Sequence, residues 1–291
     1  RGGDTVMSEL VHIEGTPRPR PNPAEVSRIT VNLAVVCLLG GLVLGGVYLG
    51  TERIAAAARL ASERRALDDM LGLSPGTTLL VVDEWLDAAR DEVVYRAGTW
   101  GAAESAMRQQ AFGLDGRPHP ATPAAGRTLT PLGRLFVAGP PAAPTGFVLE
   151  GEATGYKNKI RFFVALDAAF ALRAVRVLAH EEDPGLGAEV ATPAFLGQYV
   201  DRDSAGVARL SVTRDPLPED WRAALAERAR VTSDAWRARH AGLIAREAAL
   251  PVHAVTGATI SSRALTDGVR VTVEHFRRRW ALVRPWLEST P

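Results

Sequence analysis

Residues 254–262 read Ala-Val-Thr-Gly-Ala-Thr-Ile-Ser-Ser, and a helical pattern follows them. Two hydroxyl side chains, Thr256 and Thr259, flank a Gly-Ala pair. Gly257 lets the backbone adopt a positive φ or approach a ligand closely, and Ala258 adds almost no bulk. The stretch therefore offers space and hydroxyl groups for a ligand where a helix starts.

The serines of this stretch predict how the helix begins. We expect Ser261 or Ser262 to cap it, and the first N–H groups and positive dipole end of a helix form an anion site. Beyond them, apolar residues recur at steps of three or four and predict a packed helix: Leu265, Val269, Val273, Phe276 and Trp280. The pattern predicts a phosphate-binding turn with Thr259 as the nearest hydroxyl. The alternative is a Ser/Thr-rich turn that only caps an ordinary helix.

The run TGATISSRA, which begins at Thr256, resembles the S/T-G-A-T signature of subunits that bind flavin covalently. These are the G subunit of the Rnf electron-transport complex and its relative, the C subunit of the sodium-translocating NADH:quinone oxidoreductase. The resemblance implies that Thr259 carries FMN through a phosphoester bond. It also implies that a separate flavin transferase attaches the FMN, with FAD as donor.

Three further blocks resemble the same family in the same order: GYKNKIRFFVALD (155–167), HEEDPGLG (180–187) and FLGQY (195–199). The resemblance covers the membrane anchor and roughly residues 147–280. It implies that Leu186 and the neighbouring backbone, including Gly187, face the isoalloxazine ring. Tyr156 is either a core aromatic residue or part of the flavin environment.

Two positions depart from the family pattern. His253 stands where the family has Asp, six residues before the flavin-bearing Thr, and Asp183 stands where the family has Thr. By composition, the run from His180 to Asp183 could also be a metal cluster. Adjacent side chains in a loop rarely converge, so a solvated charge run is the favoured interpretation.

Ile29–Gly50 contains no charged residue. As a helix, its 22 residues span roughly 33 Å, which matches the hydrocarbon core of a bilayer. A buried helix of a soluble protein and a cleaved signal sequence are the alternatives. Arginines on both sides leave the orientation open. The family resemblance implies a single-pass protein of the bacterial inner membrane with its C-terminal domain in the periplasm.

Composition excludes several classes of function. The formal net charge is +1 and no basic stripe carries interleaved aromatic residues, so nucleic acid is not an expected partner. A single cysteine, Cys37, excludes an intrachain disulfide, an Fe–S cluster held by this chain alone and a Cys-rich zinc site. Walker A and Gly-x-Gly-x-x-Gly signatures are absent, so we expect NADH to bind another subunit.

The remaining sequence predicts an α+β domain. A helix over 52–73 is expected to end at Pro75-Gly76, and residues 113–146, rich in Pro, Gly and Ala, predict an irregular insert. Strands are predicted at Phe147–Glu150, Ile160–Leu166 and Leu172–Leu178, with helices over 218–250. The expected organisation is an N-terminal tail (1–28), a transmembrane helix (29–50), a membrane-proximal region of helix, strands and insert (51–146) and an FMN-binding domain (147–291).

These observations and the resemblance predict a membrane-anchored flavoprotein subunit. It would relay electrons through covalent FMN within an ion-translocating complex, with other membrane subunits as partners and no substrate site of its own. The alternatives are a stand-alone membrane-anchored flavin reductase and a flavin-free structural subunit of the same complex.

Overall fold

The computed structural model describes residues 23–74, 76–120, 127–228, 231 and 233–289. The chain divides into two compact units, residues 1–60 and 61–291. The first helix, α1 (Pro23–Leu71), crosses this boundary. In the first unit, Ser27–Tyr48 has a mean hydropathy of 2.2 and none of it is buried. By length and composition this part of α1 can cross a membrane, as the sequence predicts.

The second unit is built on one eight-stranded antiparallel sheet with the order β4-β3-β2-β1-β5-β6-β7-β8. Its strands are β1 (Leu79–Asp87), β2 (Glu92–Thr99), β3 (Arg108–Gly113), β4 (Pro118–His119), β5 (Thr130–Ala138), β6 (Gly146–Thr154), β7 (Lys159–Asp167) and β8 (Leu172–Ala179). Two short strands, β9 (Val212–Thr213) and β10 (Val252–His253), form a separate parallel pair.

Helices follow the sheet in the chain. They are α2 (Pro193–Leu196), α3 (Ser204–Ala208), α4 (Glu219–Arg228), α5 (Ser233–Ala248) and α6 (Thr259–Glu288). Short 3-10 turns lie at Gly187–Ala191 and Gly197–Tyr199, and another lies between β2 and β3 at Glu104–Ala106. The apolar stripe predicted on α6 is fully buried against one face of the sheet, so this prediction is confirmed. The opposite face is covered by the end of α1, where Leu67 and Leu71 contact Phe136 and Phe163 in one cluster.

Close packing fixes the direction of α6 along β6. A Cβ on Gly268 would lie 2.7 Å from Ala153 Cβ, whereas the Phe276 ring centroid lies 5.0 Å from that of Phe147. The helix therefore runs antiparallel to β6, and its first residue, Thr259, lies beyond the end of that strand. The turn between β6 and β7 and the loop after β8 leave the sheet at the same end, because Thr154 pairs with Lys159 and β8 is antiparallel to β7.

The structure confirms the α+β class and the three predicted strands, which lie within β6, β7 and β8. The helix predicted over 52–73 belongs to α1 and ends at Leu71, and the helical region 218–250 divides into α4 and α5. Residues 1–22, most of the predicted tail, lie outside the described residues, as does Pro75.

The irregular insert predicted over 113–146 is wrong for residues 118–119, which form the short strand β4, and for residues 130–138, which form β5. This strand lies between β1 and β6 and pairs with both. Both of its faces are covered, so its buried part, Phe136–Ala138, shows no alternation of polar and apolar residues. Pro131 and Gly133 then give the local sequence the composition of a loop.

Candidate functional site

The Thr-Gly-Ala-Thr stretch forms a tight turn between β10 and α6. Gly257 has a φ of +79°, which is one of the two roles that the sequence allows for it. Ala258 N–H donates to Val255 O at 3.0 Å and closes the turn. A Cβ at position 257 would lie 3.0 Å from Leu186 Cδ2, so the 180–187 loop lies directly on this glycine.

The start of α6 differs from the sequence prediction. Ala258 occupies the N-cap position and no side chain caps the helix there, so the expected cap by Ser261 or Ser262 is wrong. Ser262 Oγ instead donates to Ala258 O at 2.9 Å and accepts from Val255 N–H at 3.0 Å. Both serines lie inside the first turn, where their hydroxyls have other partners. The first N–H groups of a helix have no acceptor within it, so this turn retains donors for an anion.

A cleft of about 440 Å³ opens beside this turn. Its lining includes seven of the predicted site residues: Tyr156, Leu186, Gly187, Gly257, Ala258, Thr259 and Ser261. Thr256 lines a neighbouring cavity of about 550 Å³, which Gly257 and Thr259 also line. Ser262 is fully buried in the turn beneath. Thr259 therefore stands at the border of two cavities.

Exposed apolar side chains form the rim of the cleft. Tyr156 is 68 % exposed, Ile260 57 % and Leu186 48 %. This exposure rules out a core aromatic residue at position 156, since a core side chain would be buried. Large exposed apolar side chains around a cavity mark a surface that binds something.

Glu182 is the site residue that the sequence interpretation missed. It is only 4 % exposed, so the solvated charge run expected at 180–183 is wrong at this position. Its carboxylate accepts hydrogen bonds from Ser261 Oγ and from the N–H groups of residues 156–158. Burial raises the pKa of Glu182, but these hydrogen bonds outweigh it and hold the pKa below its ordinary value.

The neighbouring charges of the run do face solvent. Lys157 Nζ lies 3.0 Å from Asp183 Oδ1, and Asn158 Nδ2 donates to Glu181 Oε2 at 2.6 Å. Asp183, one of the two departures from the family pattern, thus forms an ion pair at the rim of the cleft. The signal that could have singled out Glu182 is its place in the block that resembles the family.

His253, the other departure, is 8 % exposed in β10. Its backbone N–H donates to Gln198 Oε1 at 2.8 Å, and its carbonyl accepts from Gln198 Nε2 at 3.2 Å. Its ring Nδ1 lies 3.0 Å from the carbonyl oxygen of Asp215, and His253 lines the 550 Å³ cavity. Through these backbone hydrogen bonds, His253 joins β10, the strand before the Thr-Gly-Ala-Thr turn, to Gln198 of the FLGQY segment.

The cleft fits FMN in size and chemistry. Its volume falls in the range of about 300–1,000 Å³ usual for ligand pockets. The free N–H groups of the first turn of α6 suit a phosphate, and Thr259 supplies a hydroxyl beside them. Tyr156, Leu186 and Ile260 supply apolar surface for a flat ring.

Residues 155–274 match the FMN-binding domain family. The G subunit of the proton-translocating ferredoxin:NAD(+) oxidoreductase complex of Clostridium ljungdahlii is 21 % identical over 246 residues, 84 % of this chain and 89 % of that protein. The G subunit of the ion-translocating oxidoreductase complex of Methanosarcina acetivorans is 28 % identical over 131 residues, 45 % of this chain and 50 % of that protein.

Two crystal structures were also found to be similar. Shewanella oneidensis NqrC superposes with a TM-score of 0.45 at 17 % identity, over 80 % of this chain and 100 % of that one. The C subunit of the Na(+)-translocating NADH-quinone reductase from Parabacteroides distasonis gives a TM-score of 0.35 at 14 % identity, over 55 % and 64 % of the two chains. On the sequence matches, residues 155–274 of this chain belong to the FMN-binding domain family, and the chain is similar to the G subunits of ion-translocating oxidoreductase complexes.

Proposed function

We propose that this chain is a membrane-anchored flavoprotein subunit that relays electrons within an ion-translocating oxidoreductase complex of the Rnf type. The two G subunits to which it is similar belong to such complexes. The apolar part of α1 supplies an anchor, and the FMN-binding domain supplies the redox site. Bound FMN accepts and passes on one or two electrons, so a subunit of this kind needs no substrate pocket of its own.

The observation that carries the proposal is the position of Thr259. It is the first residue of α6 and lines the same cleft as Tyr156 and Leu186. We propose that its hydroxyl holds FMN through a phosphoester bond, with the first-turn N–H groups as donors to the phosphate. In the attachment step, Thr259 Oγ bonds to the flavin-side phosphorus of FAD, the pyrophosphate bond breaks and AMP leaves. A base on the flavin transferase takes the hydroxyl proton.

The side chains around the cleft would orient the ring. Tyr156 and Leu186 flank the opening, and Ile260 projects from the first turn of α6. An apolar surrounding excludes water from a bound ring and strengthens the electrostatic contacts that set its redox potential. The covalent bond would keep the cofactor in a compartment where free FMN is scarce.

The attachment is tested by three variants of the full-length chain, each co-expressed with its flavin transferase. Thr259→Ala should lose flavin fluorescence in a denaturing gel and the mass increment of FMN, because the acceptor hydroxyl is gone. Thr259→Ser should keep both. Thr256→Ser is the matched control and should also keep both, since Thr256 lies in the same turn and Ser is the other residue that the S/T-G-A-T signature allows there. Covalent flavin that persists in Thr259→Ala refutes the assignment. A wild-type chain that stays colourless favours the flavin-free structural subunit.

We further propose that α1 spans the inner membrane once and that residues 61–291 lie in the periplasm, where other membrane subunits of the complex are the partners. A phosphatase that folds only in the periplasm should be active when fused after Pro291. A fluorescent protein that matures only in the cytoplasm should stay dark at the same site. The reverse pattern contradicts the topology.

A further inference from the structure

Glu182 is a buried carboxylate that joins three segments of the candidate site. Its Oε1 accepts from Lys157 N–H at 2.9 Å and from Asn158 N–H at 3.4 Å. Its Oε2 accepts from Tyr156 N–H at 3.2 Å and from the Ser261 hydroxyl. Four donors thus converge on one side chain that is 4 % exposed.

The backbone around Glu182 leaves space for this carboxylate. A Cβ on Gly187 would lie 2.6 Å from Glu182 Oε2, and a Cβ on Gly155 would collide with Glu182 Oε1. Both glycines therefore approach the carboxylate more closely than any other residue could. The position is built for a buried acceptor, in contrast to the exposed Glu181 next to it.

The segments that Glu182 joins are the walls of the cleft. The 155–158 turn carries Tyr156, the loop of Glu182 itself carries Leu186, and Ser261 lies in the first turn of α6 two residues after Thr259. We propose that Glu182 is a positioning residue for flavin attachment. It fixes the separation of the two apolar walls and the orientation of the turn that presents the Thr259 hydroxyl. This inference rests on the proposed function and adds a residue on which that function depends.

The four hydrogen bonds that Glu182 accepts form a clamp between the three segments, and Glu182→Gln removes some of these bonds while it keeps the others. An amide has one acceptor oxygen and one NH₂ group, so only one edge of the side chain can still accept. With the oxygen at the Oε1 position, the amides of 157 and 158 keep their partner and the Ser261 hydroxyl can reverse to accept from the NH₂ group. The N–H of Tyr156 cannot reverse and loses its acceptor. Glu181→Gln is the matched control, since it removes the same charge one residue away from an exposed side chain.

The experiment has two readouts on the full-length chain. The first is hydrogen exchange of the amides of residues 156–158 in protein made without the transferase. The second is the rate of flavin attachment once transferase and FAD are added. In the Glu182→Gln variant, the amide hydrogen of Tyr156 should exchange at least about tenfold faster than in the wild type, because this N–H has lost its acceptor. The variant should also take up flavin at least about tenfold more slowly, since displacement of reacting groups by about 1 Å costs up to about a hundredfold.

Glu181→Gln should match the wild type in both readouts. Equal attachment rates in the two glutamine variants overturn the proposal, and so does an unchanged exchange rate of the Tyr156 amide. If Glu182→Gln fails to fold, Ser261→Ala decides, because it removes only the bond to α6. It should slow attachment while the amides of 156–158 keep their protection, and full-rate attachment in Ser261→Ala overturns the proposal. A wild-type chain that takes no flavin contradicts the proposed function instead, whereas the exchange readout still tests the clamp.

Discussion

The hydrogen bond between Tyr199 and Thr266 should contribute measurably to the stability of the domain. Both residues are fully buried, and their oxygens lie 2.7 Å apart. The Thr266 hydroxyl also lies 2.7 Å from the carbonyl oxygen of Ser262, which can only accept. Thr266 therefore donates to Ser262 and accepts from Tyr199. Burial raises the pKa of Tyr199, so its phenol stays protonated as the donor.

The two single substitutions should have unequal costs. Thr266→Val leaves the buried Tyr199 hydroxyl without an acceptor, which costs about 1–3 kcal/mol. Tyr199→Phe removes the donor and leaves Thr266 bonded to Ser262, which costs about 0.5–1.5 kcal/mol. In the double variant neither polar group remains unpaired. It should therefore cost less than the sum of the two singles by about 1 kcal/mol.

Urea unfolding of the full-length chain in detergent measures these costs, with fluorescence of the buried Trp221, Trp236 and Trp280 as the probe. Tyr156→Phe is the control, because Tyr156 is 68 % exposed and its hydroxyl should contribute less than about 0.5 kcal/mol. Additive costs in the double variant, or a Thr266→Val cost no larger than that of Tyr199→Phe, refute the assigned donor and acceptor roles.

Two further predictions concern packing and pH. Gly268→Ala should lower the urea midpoint, because the new Cβ would lie 3.0 Å from Phe162 Cζ. Overpacking of this kind destabilises a core by about 1–3 kcal/mol, which outweighs the gain of about 1 kcal/mol from the better helix propensity of Ala. Gly242→Ala should raise the midpoint, because its Cβ meets no atom within 4 Å. Shifts of the urea midpoint in the same direction for both variants contradict the packing of α6 on the sheet. Burial raises the pKa of Glu150, but hydrogen bonds from Arg161 and Arg134 outweigh it and lower the pKa below its ordinary value. The stabilisation from Glu150 is therefore complete above pH about 4.3 and is lost as the pH falls through the lowered pKa. Glu150→Gln should flatten the decline of the urea midpoint below pH about 4.3, and an unchanged decline contradicts this assignment.

Local patterns predicted those parts of the structure that depend on local chemistry. The stripe from Leu265 to Trp280 repeats at helical spacing, so the helix and its buried face could be predicted from sequence. A positive φ was one of the two roles open to Gly257, because few other residues tolerate that conformation. A helix able to cross a membrane could be predicted from the uncharged run that begins at Ile29, since length and composition alone decide whether a helix can do so.

Strand β5 was not predictable because its place in the sheet depends on distant partners. Its Phe136 and Val137 are buried on opposite faces, one beneath α1 and the other beneath α6. A strand covered on both sides has no alternation to detect, and Gly133 and Pro131 disguise it further. Only the assembled sheet, in which β1 and β6 flank this segment, shows that it is a strand.

The sequence by itself determined the cofactor class and the helix that begins at Thr259. The acceptor hydroxyl at Thr259 stays a prediction that rests on the family resemblance. The tertiary structure alone decided how the walls of the cleft are held. Glu182 lies 25 residues from Lys157 and 79 residues from Ser261 in the chain, yet its carboxylate bonds to both. Hydrogen bonds between distant segments leave no periodicity in the sequence. The sequence of residues 180–183 therefore looks the same whether Glu182 is buried and hydrogen-bonded or exposed to solvent. Burial distinguishes the two cases, because a carboxylate removed from water must find its donors within the fold.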